Sequence, residues 1–279
     1  MGRPAWERTI GGVLSSMPPA RRRTVLLAAA LLAAVVLVVA AKVAAGLRGT
    51  EVRPVDQSRP GPILIVPGYG GSTGSLSSLV RRLSRLDRPV QVVPLPEGGL
   101  GDLAGQARAL GDAARSAMAK ESAASVDVVG YSAGGVVARL WVREEGGGSI
   151  ARRVVSLGSP QHGTELAGLG QLLQGRCPQA CQQLSPTSPV LAALNIGDET
   201  PPGPRFVSIW TTRDDVVLPA ESARLDGALN LTVQGVCAGT TVRHSDLPAD
   251  PVVGAMVAEE LGAGPLKALT TKDCARLGP

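Results

Sequence analysis

The sequence predicts an α/β fold with a mostly parallel central sheet and helices on both faces. Two observations predict it. Short runs of Val, Ile and Leu recur along the chain without the apolar–polar alternation of a strand that has one face in water. Between them lie longer segments whose apolar residues fall three and four apart. Continuous apolar runs are the pattern of strands buried on both faces, and their alternation with helices is the pattern of crossover connections.

The elements follow in order. Ile63–Val66 is a short buried strand that opens into a Gly-rich loop, and SLSSLVRRLSRL (75–86) has helical spacing with Ser75 as its expected cap. Val90–Val93 is the next strand, and the Ala-rich segment 101–121 is a helix. Val126–Val129 is a strand, Ala133–Glu145 a helix stopped by three glycines, and Val154–Leu157 a strand. Phe206–Trp210 and Leu229–Val233 complete the strands, and Val252–Leu261 is the last helix. Residues 159–205 are long and irregular, as expected of an excursion over a binding site. Within them ELAGLGQLLQG (165–175) reads either as an apolar flap or as a packed helix.

The N-terminus has a different character. Residues 25–41 form an unbroken apolar run behind Arg21-Arg22-Arg23. The boundaries expected are a basic cytoplasmic leader over 1–23, a transmembrane helix or signal anchor over 24–47, a linker over 48–61 and the folded domain over 62–279. A signal peptide cut near Val43-Ala44-Ala45 is the alternative, and it predicts secretion rather than a single-pass anchor in the cell membrane. Both readings put the folded domain outside the cytoplasm. Charge divides at the same place: eight basic and two acidic residues up to Arg53, then twenty basic and twenty-one acidic. With no basic stripe and few aromatic residues for stacking, the folded part is not expected to bind nucleic acid.

All four cysteines lie beyond residue 176, on the expected outer side. An even number in an oxidising compartment favours two disulfides, with three connectivities open, and Cys177–Cys181 with Cys237–Cys274 is the expected pairing. No histidine stands at a ligand spacing from Cys177-x-x-x-Cys181, so no metal site is expected.

The spacing Gly-x-Ser-x-Gly occurs twice, at Gly130–Gly134 around Ser132 and at Gly70–Gly74 around Ser72. In a chain with 35 glycines the pattern alone decides little. Context separates the two. VDVV runs straight into Gly130, and a helical pattern begins directly after Ser132, which puts a hydroxyl on a tight turn at a helix N-terminus. Ser72 lies in a loop of about eight Gly-rich residues, a place better suited to backbone N–H donors than to a nucleophile.

A nucleophilic serine needs a base, and the histidines are His162 and His244. The chain order Ser, acid, His selects His244 and leaves His162 in a loop. The acid is expected just past FVSIW, where Asp214 and Asp215 both qualify.

Five stretches, PILIVPGYGGS, VDVVGYSAGGVVARLWV, SLGSPQHGT, SIWTTRDDVVLP and RHSDLPADPVV, together resemble the secreted bacterial triacylglycerol lipases and esterases of the α/β-hydrolase superfamily. The likeness is strongest to the small lid-poor lipases and their actinobacterial relatives, and it runs over about residues 62–262. It implies a minimal α/β-hydrolase fold, with Ser132 as nucleophile, Asp214 as acid and His244 as base. It also implies an oxyanion hole from the N–H groups of Tyr69 and Ala133, an ester or lipid substrate, an acyl-enzyme intermediate and no cofactor. Pro67 departs from the family, where many members have histidine, and so does the N-terminal apolar segment, which as a retained helix would bring the domain into contact with a membrane rather than leave it freely secreted. The same constellation serves acyltransferases and thioesterases, and a catalytically silent binding domain is the reading from a different class.

Overall fold

A computed structural model describes residues 18–47, 52–167 and 177–278. The chain divides into two compact units between Glu51 and Val52. The described residues of the first unit form the helix α1 (Pro19–Leu47). The membrane span expected over 24–47 is not supported: among the described residues no helix is long and apolar enough to cross a membrane.

The second unit is built on six strands, β1 (Ile63–Val66), β2 (Val90–Val92), β3 (Val126–Tyr131), β4 (Ala151–Leu157), β5 (Arg205–Trp210) and β6 (Leu229–Thr232). They pair in parallel throughout, in the order β2-β1-β3-β4-β5-β6. The longer helices of this unit are α2 (Ser77–Leu83), α3 (Leu103–Glu121), α4 (Ala133–Glu144) and α5 (Pro251–Glu260). Successive side chains of a strand point to opposite faces, and the core divides accordingly. Leu64, Val66 and Val128 pack with Leu103, Leu110 and Val137 of α3 and α4. Ile63, Ile65 and Val129 pack with Leu79, Val253 and Met256 of α2 and α5. The sheet is thus covered on both sides.

Three local differences from the sequence reading have physical causes. Ser75 makes no side-chain cap; the segment 75–86 winds as 3-10 turns at Gly74–Leu76 and Ser84–Leu86 on either side of α2. Strand β4 begins at Ala151 rather than Val154 and so takes Arg152 and Arg153 into the sheet. Asp127 on the neighbouring β3 makes this tolerable for Arg152, its carboxylate accepting Arg152 Nε at 2.9 Å and Nη2 at 2.5 Å, and Arg88 Nη1 at 2.5 Å, while Arg153 donates to Glu260 O and Gly264 O. Buried guanidinium groups persist where paired this way. Finally, the excursion 159–205 contains short helices at Gln179–Gln183 and Pro189–Leu194. Arg139 of α4 holds it down, donating to Gln161 Oε1, Leu194 O, Asn195 Oδ1 and Glu199 O at 3.0–3.3 Å.

Both expected disulfides are present. Cys177–Cys181 and Cys237–Cys274 have Cα separations of 5.5 and 5.1 Å. Chain-entropy estimates assign them about 2 and about 4 kcal/mol. Cys237 follows a short helix, Val233–Val236, so the second bridge ties the tail to that helix rather than to β6 itself.

Candidate active site

The strand order reverses at β1, between β1's neighbours β2 and β3, so the loops leaving β1 and β3 diverge at their carboxyl ends. Crevices of this kind are where open α/β sheets bind ligands. Ser132 sits there, between the last residue of β3 and the first of α4. Its backbone has φ 52° and ψ −124°, a region that costs a non-glycine residue about 1–3 kcal/mol. Hydrogen bonds maintain it: Ser132 N donates to Leu157 O at 2.8 Å, and Ser132 O accepts from Gly135 N at 3.1 Å. Glycine at 134 is a packing requirement, since a Cβ there would lie 2.3 Å from Val66 O of β1.

Ser132 Oγ lies 3.0 Å from His244 Nε2, and His244 Nδ1 lies 2.8 Å from Asp214 Oδ2. The second carboxylate oxygen of Asp214 accepts Val216 N at 2.9 Å and Val217 N at 2.7 Å, fixing its plane. His244 and Asp214 are both buried. His244 opens a 3-10 turn, His244–Asp246, closed by Asp246 Oδ2 accepting Arg243 N at 2.9 Å. A serine hydroxyl, imidazole and carboxylate in one hydrogen-bonded line can transfer a proton away from the hydroxyl and hold the resulting imidazolium.

Of the other sequence candidates, Asp215 points to solvent and lies 3.6 Å from Arg243. His162 is outside this line: Nε2 is 2.8 Å from Glu199 Oε1 and Nδ1 3.3 Å from Ser222 O. Ser72 is exposed. Tyr69 follows Pro67-Gly68 in the loop after β1, and a Cβ at Gly68 would come within 3.0 Å of Ser132 Cβ, so this loop adjoins the serine. Ala133 is the first residue of α4, whose N–H has no intrahelical partner by construction.

Two residues escaped sequence reasoning. Tyr131 stacks at a 34° tilt on His244, with centroids 5.3 Å apart, and donates from its hydroxyl to His244 O at 3.2 Å. Burial, and then the nearby Asp214 charge, push its phenol up to about 12, so it stays a donor. Its place in the Gly-x-Ser-x-Gly motif was legible but its task was not. Gly158 follows β4 with φ 53°, and a Cβ there would lie 2.6 Å from Leu247 Cδ1, 3.2 Å from His244 Nδ1 and 3.3 Å from Asp214 Oδ2. Gly158→Ala is therefore expected to lower kcat by about 10²-fold while the circular dichroism spectrum stays native, because a small displacement of the imidazole suffices for such a loss.

An apolar cavity of about 210 Å³ opens beside Ser132, walled by Tyr69, Leu166, Leu184, Val216 and Val217 among others. Leu166 and Ala167 are the described lining residues of the segment 165–175; residues 168–175, where the flap or helix was expected, lie outside the described residues. Among the described residues no group of His, Cys, Asp and Glu could hold a metal ion.

Residues 116–252, which include Ser132, Asp214 and His244, match the family model described as lipase (class 2). No curated protein sequence matches the chain. Among solved structures it is similar to lipase B of Aspergillus fumigatus, with 18% identity and a TM-score of 0.66 over 78% of this chain and 56% of that one. It is also similar to the mature lipase BlEst2 of Bacillus licheniformis, with 18% identity and a TM-score of 0.54 over 64% of this chain and 84% of that one. The chain thus spans little more than half the length of the fungal lipase. At this identity the structural likeness establishes the fold alone. The chain thus has the fold of these lipases, and over residues 116–252, a little under half of its length, it is similar to the class 2 lipase family.

Proposed function

We propose that the protein is a serine carboxylester hydrolase of the lipase/esterase type that works outside the cytoplasm. The observation that carries this reading is the unbroken line Ser132 Oγ, His244 Nε2, His244 Nδ1, Asp214 Oδ2, whose serine end lines an apolar cavity. In this mechanism His244 takes the Ser132 proton as Oγ attacks the ester carbonyl. The N–H groups of Tyr69 and Ala133 receive the developing oxyanion, and Asp214 balances the imidazolium. His244 then returns the proton to the departing alcohol, and a water molecule, deprotonated by His244 in turn, releases the acyl group from Ser132. No cofactor takes part in any of these steps.

The apolar cavity supports an acyl chain as its occupant. Each buried methylene contributes about 0.8 kcal/mol, so kcat/KM on p-nitrophenyl esters should rise by up to about fourfold per added methylene until the chain outgrows the cavity. Activity on emulsified triglyceride, measured beside that series, reads whether lipase or esterase is the better label. A flat profile across chain lengths would remove the acyl-pocket reading.

Export is supported by the two disulfides, which persist in oxidising compartments, and by the confinement of excess positive charge to the stretch before Arg53. In this reading residues 24–47 direct export of the domain that follows, and protease accessibility of residues 62–279 on intact cells tests it.

A further inference from the structure

We propose that a second cavity, between α2 and the start of α5, is an anion site that recognises a phosphate group. It has a volume of about 150 Å³ and is lined by Ser78, Arg81, Arg82, Arg85, Asp250 and Gly254, among others. The chain after Arg53 carries almost no net charge, yet three of its arginines stand within five residues of one another at this spot. Arg81 and Arg85 are spaced i, i+4, where like charges repel. Among the described residues none of the three has a carboxylate within ion-pair distance. Asp250 is occupied as the cap of α5, accepting Val253 N at 2.9 Å.

Two of the arginines are placed by contacts, one at its guanidinium and one along its stem. Arg81 Nη2 donates to Ser78 Oγ at 2.9 Å. The Arg82 stem lies on Gly254, where a Cβ would come within 2.7 Å of Arg82 Cδ, so the missing side chain on α5 is the seat for this arginine. Pre-oriented guanidinium groups bind phosphate by paired N–H donors more strongly than an ammonium does. An anion seated here would offset the repulsion among the three guanidinium groups. The far wall, Pro248–Pro251, continues directly from the His244–Asp246 turn and Leu247, which places the anion close in the chain to the imidazole.

The phosphate can come from an anionic phospholipid headgroup or from a free phosphate, and one experiment separates them. Thermal unfolding of the full chain in neutral detergent micelles is measured with sodium phosphate against sodium chloride at matched ionic strength. The same scan is run with phosphatidylglycerol against phosphatidylcholine in the micelles. Ligands that bind only the folded state raise Tm. A rise that is lost in Arg82→Gln/Arg85→Gln and kept in Arg108→Gln/Arg115→Gln, two arginines removed from α3 instead, supports the site. A rise with both agents identifies the phosphate group itself; a rise with the lipid alone identifies a headgroup. Affinity in the cavity variant should fall at least about tenfold, and its hydrolysis of a soluble ester should stay at the level of the unaltered protein. Gly254→Ala, which removes no charge, should also weaken binding. No rise with either agent, or equal losses in the two double variants, overturns the proposal.

Discussion

Asp214→Asn is expected to lower kcat by about 10⁴-fold, the loss seen when asparagine replaces the acid of a serine triad, whereas Asp215→Asn is expected to stay within a few-fold of the unaltered protein. The two aspartates are neighbours in sequence but not in environment. Asp214 is 7% exposed, sits 2.8 Å from His244 Nδ1 and has its other oxygen engaged by two backbone N–H groups. An amide at that position turns its NH2 toward Nδ1, because the two backbone donors keep its carbonyl. Nδ1 must then accept, the ring proton moves to Nε2, and Nε2 can no longer take a proton from Ser132. Asp215 faces solvent beside Arg243, where loss of one exposed ion pair costs about 0–1 kcal/mol and reaches no reacting atom. Steady-state kinetics on a soluble ester check both variants, and a mild Asp214→Asn with a severe Asp215→Asn would move the acid one residue along.

The second large effect is on stability. Asp127→Ala is expected to destabilise the fold by about 3–5 kcal/mol, because it leaves buried charge uncompensated. Arg152 is fully buried and loses a two-point contact, and Arg88 loses its own contact to the same carboxylate. Their remaining donors reach only carbonyls, among them Leu261 O and Gly262 O at the end of α5. The same variant thus loosens β3, β4 and the C-terminal helix together. Urea unfolding measures the cost through the midpoint at constant slope. Asp127→Ala combined with Arg152→Met should recover part of it, since an unpaired guanidinium is more costly to bury than an apolar chain of similar length.

The sheet was legible because its strands are continuous apolar runs, and a run of Val and Ile bounded by Gly or Pro has few other uses. Legibility failed where tertiary pairing overrides composition. Arg152 looks like the end of a loop until Asp127 is placed one strand away. The short helices in 159–205 carry fewer than two turns each, too little for a periodicity to appear, and Arg139 from α4 holds that region by reaching carbonyls no local pattern announces. Ser132 could be distinguished from Ser72 because a strand and a helix meet there with no residue between them to spare. Asp214 and Asp215 could not be distinguished by spacing, since the difference lies in which carboxylate faces an imidazole 30 residues further on. Gly158 carries no sequence signal beyond being a glycine after a strand; only the packing of His244, Asp214 and Leu247 against its Cα reveals why a side chain does not fit.

In the proposed mechanism Ser132, and not its sequence twin Ser72, is the nucleophile. Labelling with a fluorophosphonate probe tests it most directly, since the probe bonds covalently to an activated serine. The unaltered protein and Ser72→Ala should label equally, and Ser132→Ala should not label at all. Labelling that survives Ser132→Ala and disappears in Ser72→Ala would contradict the account.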